Sequence, residues 1–394
     1  MMTNKLGLYL HIPFCVKKCG YCDFLSYPPG EGEKKAYVSL LRKEIRLWKG
    51  KTDCPVDSVF FGGGTPSLLE GQELEQILEC LRDVFVFEKD CEITLESNPG
   101  TLDEEKLRDF KSLGINRLSL GVQSFQDDIL RFLGRIHTAD QALTQFELAR
   151  KAGFSNINLD LMFSLPGLSM QGWEKTLRRA LSLEPEHLSY YGLILEEGTP
   201  FYQAYEEGRL GQEDEELDRR QYWYTVDTLA GRGYRPYEIS NAARDGLACR
   251  HNLKYWSLSP YLGFGLGAHS YFEGRRMENT RDPRAYQRAL EEERALSEEG
   301  ECPDGFFCPP CVEKLHLNTL REDMEEFMFL GLRKTEGVKL SRFERRFGVD
   351  FFQVYPDQVK QLKGRGLLAQ EGDRLFLTPR GIDISNSVMC EFLF

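Results

Sequence analysis

Two hydrophobic periods take turns along the first half of the chain. Leu6, Leu8, Leu10 and Ile12 alternate with other positions, which predicts a β-strand over 6–12. Residues 33–48 switch to helical spacing, with Val38, Leu41, Ile45 and Trp48 on one face. Short apolar runs return at 56–61, 92–97, 117–122, 157–163 and 187–193, and each reads as a strand. Helical spacing fills the gaps at 70–85, 103–112, 127–133, 138–152 and 170–183, with Thr101 as the expected N-cap of the 103–112 helix. Six strands joined by helical connections of crossover length predict an α/β fold with a parallel sheet covered by helices. Six such units can curl into three-quarters of a β/α barrel. In barrels of this kind the chemistry gathers at the C-terminal ends of the strands.

The pattern breaks near residue 198. Residues 206–220, EEGRLGQEDEELDRR, read as a solvated loop entering a helix that runs to Ala230. Residues 234–272 are rich in aromatics and glycine and contain HNLKYW, 251–256. Residues 283–299 look helical and acidic, and 301–316 are rich in cysteine and proline. From 319 onward, helical stretches and a hairpin, LAQEGDRLFLT, look like a winged-helix-type module. The expected division is a partial barrel at 1–200, an α+β accessory region at 201–300, an insert at 301–318 and a C-terminal module at 319–394.

Composition narrows the function classes. Among 394 residues, 41% are apolar and 28% charged, an ordinary globular balance. The formal net charge of −12 argues against a nucleic-acid binder, which needs a basic face, and the basic patch at 360–365 is too small to supply one. No apolar run reaches the roughly 18 residues of a membrane span. The N-terminus, MMTNKLGLYL, lacks the features of a secretory signal, so a cytoplasmic location is expected; peripheral membrane contact stays open. Eleven cysteines in such a chain read as reduced thiols or metal ligands.

Three of those cysteines stand out. Cys15, Cys19 and Cys22 follow the first strand at C-x3-C-x2-C spacing. Three thiolates supply one ligand fewer than a [4Fe–4S] cube takes, leaving one iron open, as at a catalytic metal centre. Zinc or plain buried thiols are the alternatives. The stretch LYLHIPFC-x3-C-x-YC resembles the cluster motif of the radical S-adenosylmethionine (SAM) enzymes. In those, SAM chelates the open iron and an electron from the cluster cleaves it to a 5′-deoxyadenosyl radical. The flanking residues resemble the branch holding oxygen-independent coproporphyrinogen III oxidase and the HemW-type haem chaperones. The oxidase carries a further cysteine where this chain has Phe24, and an N-terminal extension where this chain starts almost at the strand. Both differences point to the chaperone branch.

The resemblance implies a SAM site at the strand ends. Gly63, Gly64 and Thr65 of GGGTPS would take the SAM amino group, three glycines in a row letting a ligand approach the backbone. Glu96, Gln123, Arg135 and Asp160 match further SAM contacts, and Tyr9 and Tyr21 match contacts beside the cluster. H-N-x-x-Y-W is the sequence associated with haem binding in HemW-type proteins, which makes His251 the first haem candidate; His269 is the second. On the residues alone, the stronger reading of His251 is a hydrogen-bonded histidine among core aromatics. Gly263, Gly265 and Gly267 do not form a dinucleotide fingerprint. Cys302, Cys308, Cys311 and His316 have spacing that suits zinc, the Cys-Pro pairs resemble haem-sensing thiolates, and a proline-rich loop with incidental thiols is the plain alternative. The expected function is a haem chaperone that holds a SAM-ligated cluster and passes haem to client proteins such as respiratory enzymes, served by an electron donor. The alternative is the oxidase.

Overall fold

In the computed structural model, residues 5–211, 214–291 and 305–393 are described. Six parallel strands build the expected unit: β1 (Leu6–Ile12), β2 (Val56–Gly63), β3 (Phe87–Ser97), β4 (Arg117–Gln123), β5 (Ile157–Phe163) and β6 (His187–Gly192), each paired with the next. Leu6, Leu8, Leu10 and Ile12 are fully buried, as are Leu118 and Leu120 of β4 and Ile157, Leu159 and Leu161 of β5. Burial on both faces is what a helix-covered parallel sheet demands, and it explains the apolar richness of these strands. The covering helices include Glu33–Leu47, Gly71–Val84, Glu104–Ser112, Ala139–Lys151 and Met170–Ser182. β3 starts at Phe87, five residues before the apolar run that betrayed it, because residues 87–90 are only partly covered. The cap at 103–112 also differs from expectation. Asp103 accepts from Lys106 N at 2.8 Å, whereas the Thr101 hydroxyl donates to the Asn98 carbonyl at 2.7 Å.

Residues beyond 200 extend this same sheet instead of forming a separate one. β7 (Arg235–Glu238) and β8 (Asn241–Ala243) add to β6, while β9 (Tyr261–Phe264), β10 (His269–Phe272), β11 (Arg275–Asn279) and β12 (Val312–Leu317) add beyond β1. The twelve strands run in the order β12-β11-β10-β9-β1-β2-β3-β4-β5-β6-β8-β7. β9 pairs parallel with β1, and β10 to β12 continue antiparallel. β1 is therefore interior, with one partner from the strand that follows it and the other from beyond residue 260.

The C-terminal region has its own apolar core, with Phe327, Phe343, Phe351, Tyr355 and Phe392 at its centre. After the helix Leu320–Gly331 come β13 (Val338–Lys339), the helices Leu340–Phe347 and Pro356–Gly364, and a hairpin of β14 (Leu368–Glu371) and β15 (Arg374–Leu377). β13 joins that hairpin as a three-stranded antiparallel sheet. Arg346 clamps the module to the barrel side, donating to the Leu258 carbonyl and to the Tyr271 hydroxyl, each at 2.8 Å.

Candidate functional site

The loop after β1 is pinched shut at its base. Cys15 N donates to Tyr27 O at 3.0 Å and Tyr27 N to Pro13 O at 2.8 Å. The resulting lobe holds Cys15, Cys19 and Cys22, all half-buried, on the wall of one cavity of about 550 Å³. Burial is the main cause that pushes the Cys22 thiol up to about 11, and its neighbours Cys19 and Cys15 add to it. Thiols so placed become thiolates when a metal binds them. Among the described residues no three His, Cys, Asp or Glu side chains converge on a single ion. Three thiols on one cavity wall are the number that holds a four-iron cluster with one iron left open.

Register brings the glycine run to this lobe, because Ile12 of β1 pairs with Gly63 of β2. Gly64 N donates to Ile12 O at 2.8 Å and Thr65 N to Phe14 O at 2.7 Å. A Cβ on Gly64 would lie 2.6 Å from Phe14 O and 2.9 Å from Ile12 O. The absent side chain thus lets two backbones meet. Gly63 has φ +105°, and a Cβ there would strike the His11 ring at 2.5 Å. The Thr65 hydroxyl sits 3.4 Å from Cys15 Sγ and accepts from Asn98 Nδ2 at 2.7 Å.

The next strands place two carboxyls on the same wall. Glu96 accepts from Gly63 N at 3.2 Å, and burial, reinforced by the Asp160 charge, pushes its carboxyl up to about 8. Burial also raises Asp160, which is held by Ser119 Oγ at 3.2 Å and Asn158 Nδ2 at 2.7 Å. Gln123 ends β4 at φ +64°, a strained conformation for a residue with a side chain, and its Oε1 accepts from the Tyr191 hydroxyl at 2.9 Å. Arg135 donates to Asn98 Oδ1 and to the Gly121 carbonyl, and its other terminal nitrogen lies 3.8 Å from Cys19 Sγ. One guanidinium thereby ties the ends of β3 and β4 to the thiol lobe. Together these groups place two carboxyl groups, an amide and a hydroxyl around one chamber, while the backbone N–H groups of Gly63, Gly64 and Thr65 are bonded within the protein. That chemistry suits a ligand carrying an amine, a carboxylate and hydroxyls.

The cavity gathers Cys15, Cys19, Cys22, Tyr21, Gly63, Gly64, Thr65, Glu96, Gln123, Arg135 and Asp160. Tyr9 and His251 are not among its walls. The Tyr9 hydroxyl bonds His11 Nδ1 at 3.1 Å, and its ring faces a second cavity. His251 is 1% exposed, with Nδ1 3.0 Å from Ser58 Oγ and Nε2 2.9 Å from the Tyr255 hydroxyl. Its ring stacks on Phe60, and burial pushes its pKa down to about 3. Both nitrogens are thus occupied inside the protein, as in the plain reading of a core histidine. The motif around it forms a partition. Asn252 lines the thiol cavity, and Tyr255 and Trp256 line the second one.

Sequence reasoning passed over Asn98, Ser119, Ser189 and Tyr191, all on the cavity wall. Asn98 stands two residues after Glu96 in LESNP and Tyr191 is the penultimate residue of HLSYYG, so strand-end position was the available signal. Of the residues at 302–316 whose spacing suits zinc, Cys302 lies outside the described residues, as do residues 292–299 of the expected acidic helix. Cys311 is buried with its thiol toward Asn279, whereas His316 is exposed and 3.0 Å from Glu322 Oε1.

The radical SAM superfamily model matches residues 9–180, and the HemN C-terminal domain model matches 318–384. The heme chaperone HemW of Bacillus subtilis is 38% identical over 98% of this chain and 98% of its own length. HemW of Escherichia coli is 39% identical over 81% and 88%. A mouse mitochondrial protein, radical S-adenosyl methionine domain-containing protein 1, is 34% identical over 99% and 88%. Among solved structures, the E. coli coproporphyrinogen III oxidase HemN superposes with a TM-score of 0.82, covering 99% of this chain and 90% of that one at 22% identity, which shows a shared fold. The thiol lobe, the glycine run beside it and the near full-length kinship converge: this chain belongs to the HemW family of the radical SAM superfamily.

Proposed function

We propose that this protein is a haem chaperone that binds haem, holds a SAM-ligated [4Fe–4S] cluster and hands haem to client proteins such as respiratory enzymes. The observation that carries this reading is the near end-to-end relationship to proteins named heme chaperone. Phe24, in place of the extra cysteine of the oxidase, supports it. The likeness to HemN is one of fold and does not bring the oxidase reaction with it.

In this reading Cys15, Cys19 and Cys22 hold three irons of the cluster. Gly63, Gly64, Thr65, Glu96, Gln123, Arg135 and Asp160, with Tyr21 beside the cluster, surround SAM. When bound, the cluster and SAM together supply one-electron chemistry. The chain's own part is to position them. The Glu96 carboxyl, held up by burial, accepts the Gly63 N–H and offers its remaining oxygen to the chamber. Arg135 fixes the lobe relative to the strand ends and keeps a cation beside Cys19. An electron donor, haem-requiring clients and a cytoplasmic setting belong to the same proposal. Among the described residues no helix is long and apolar enough to cross a membrane.

A paired anaerobic assay on reconstituted protein tests it. Haemin is titrated by its Soret band, and coproporphyrinogen III conversion is followed with SAM and a reductant. Stoichiometric haem binding without decarboxylation is expected. Decarboxylation without haem binding would replace the proposal with the oxidase.

A further inference from the structure

A second cavity, of about 440 Å³, lies against the thiol cavity. The two share Asp23 and Phe24, the residues that directly follow Cys22. Its size falls in the range of small-molecule sites, and Tyr255, Trp256, Tyr261 and Phe24, the last 61% exposed, are among its walls. An apolar chamber of this kind suits a flat, apolar ligand.

Two polar groups on the same wall make no side-chain hydrogen bond or ion pair among the described residues, although both face the charge of Glu278. The chain has six histidines. Five have a ring hydrogen bond: His11 to Tyr9 and Leu25, His137 to Val122, His187 to Asn158 and Tyr237, His251 to Ser58 and Tyr255, and His316 to Glu322. His269 has none among the described residues, and it lines this cavity as an exposed side chain at the start of β10. Arg281 likewise lines the cavity with no hydrogen bond or ion pair among the described residues. The cavity's other guanidinium, Arg276, is already committed to Glu326 and the Tyr261 hydroxyl.

We propose that this second cavity is the haem seat, with His269 as the iron ligand and Arg281 as the partner of a haem carboxylate. The inference rests on the haem-chaperone reading and gives it a place. Imidazole is an established haem ligand, and guanidinium is the side chain best shaped for a carboxylate. His251 then has a different part. To ligate iron it would have to leave Ser58 and Tyr255 and emerge from full burial. Where it stands, it holds the Tyr255 hydroxyl and so positions one wall of the seat. Because Phe24 belongs to both cavities, bound haem would rest against the loop that carries the cluster.

The test is a haemin titration of the full-length, cluster-loaded protein under anaerobic conditions, with cluster absorbance recorded for every variant. His269→Ala should shift the Soret maximum and weaken binding about tenfold or more. His269→Met should give a third spectrum, because the ligand field changes with the ligand. Arg281→Gln should weaken binding about tenfold, the loss of one charge-assisted hydrogen bond, while leaving the Soret maximum in place. His316→Ala, exposed, bonded to Glu322 and not among the cavity's lining residues, should change neither. A His269→Ala protein with the wild-type Soret maximum and affinity would overturn the seat, while wild-type binding would leave the haem reading standing. Wild-type protein that binds no haem would overturn both. Should His269→Ala lose its cluster, Arg281→Gln decides alone: unchanged affinity there refutes the seat.

Discussion

Replacing Gly64 with Ala tests whether the glycine run serves backbone packing as much as ligand approach. The new Cβ would sit 2.6 Å from Phe14 O, whereas ordinary contact begins at 3.4 Å, so the two strand ends must part by about 0.8 Å. The obstructing atoms are backbone carbonyls, which cannot rotate away. They are also the acceptors of Gly64 N and Thr65 N. Overpacking of this kind costs roughly 1–3 kcal/mol, and weakening two hydrogen bonds costs about 1 kcal/mol each at most. A total near 3 kcal/mol corresponds, for a chain of 394 residues, to a fall in unfolding midpoint of roughly 4 °C. The displaced carbonyl belongs to the residue before Cys15, so iron retention should fall as well. Gly62→Ala is the internal comparison. Its Cβ would meet the Phe60 and Tyr9 rings at 3.0 Å and Glu96 Oε2 at 3.2 Å, all side-chain atoms able to yield. It should cost about 1 kcal/mol and keep the cluster. The measurements are thermal unfolding by circular dichroism and iron content after anaerobic reconstitution. A Gly64→Ala protein equal to Gly62→Ala in both would refute the packing argument.

Two further outcomes are expected. Replacing any one of Cys15, Cys19 or Cys22 with Ala should abolish the anaerobic absorbance of the four-iron cluster, and a variant that retains it would remove that residue from the ligand set. Glu44, buried and bonded to Tyr286, Asn279 and Gly265 N, has its carboxyl raised by burial to about 7 from 4.5. The folded state therefore holds this proton more tightly than the unfolded chain, so its contribution favours folding below pH 4.5 and is lost as pH climbs to about 7, a change of about 3 kcal/mol. Urea midpoints at pH 5 and pH 8 should draw apart in wild type by more than in Glu44→Gln; equal differences would show that Glu44 keeps an ordinary carboxylate.

The parallel half of the sheet was legible because its strands bury apolar residues at alternate positions and so write short apolar patterns. β5 matched its run at both ends. Strand-end motifs carried the rest, since a parallel sheet puts all six C-terminal ends on one side. What local pattern does not show is pairing between distant segments. Residues 201–300 read as an accessory region and 301–318 as an insert, yet β9 takes its place beside β1 through a contact that no periodicity records. The cap at 103–112 failed for a local reason: Thr101 spends its hydroxyl on the Asn98 carbonyl, and Asp103 stands where Lys106 N needs an acceptor. His251 shows the limit for single residues. A histidine followed by aromatics has the same sequence whether its nitrogens meet a ligand or, as here, Ser58 and Tyr255.

The position of β1 carries a consequence for synthesis. Chains emerge N-terminus first, and β1 can pair with β2 early. Its other edge waits for β9, which lies beyond residue 260. Until then the nascent chain presents an apolar strand with unpaired backbone groups, the arrangement most prone to join a neighbouring chain. The lobe of cysteines hangs from that same strand. Stable insertion of iron therefore belongs late in the life of the nascent polypeptide, and a fragment ending near residue 200 would carry every cysteine ligand on a strand with one edge open.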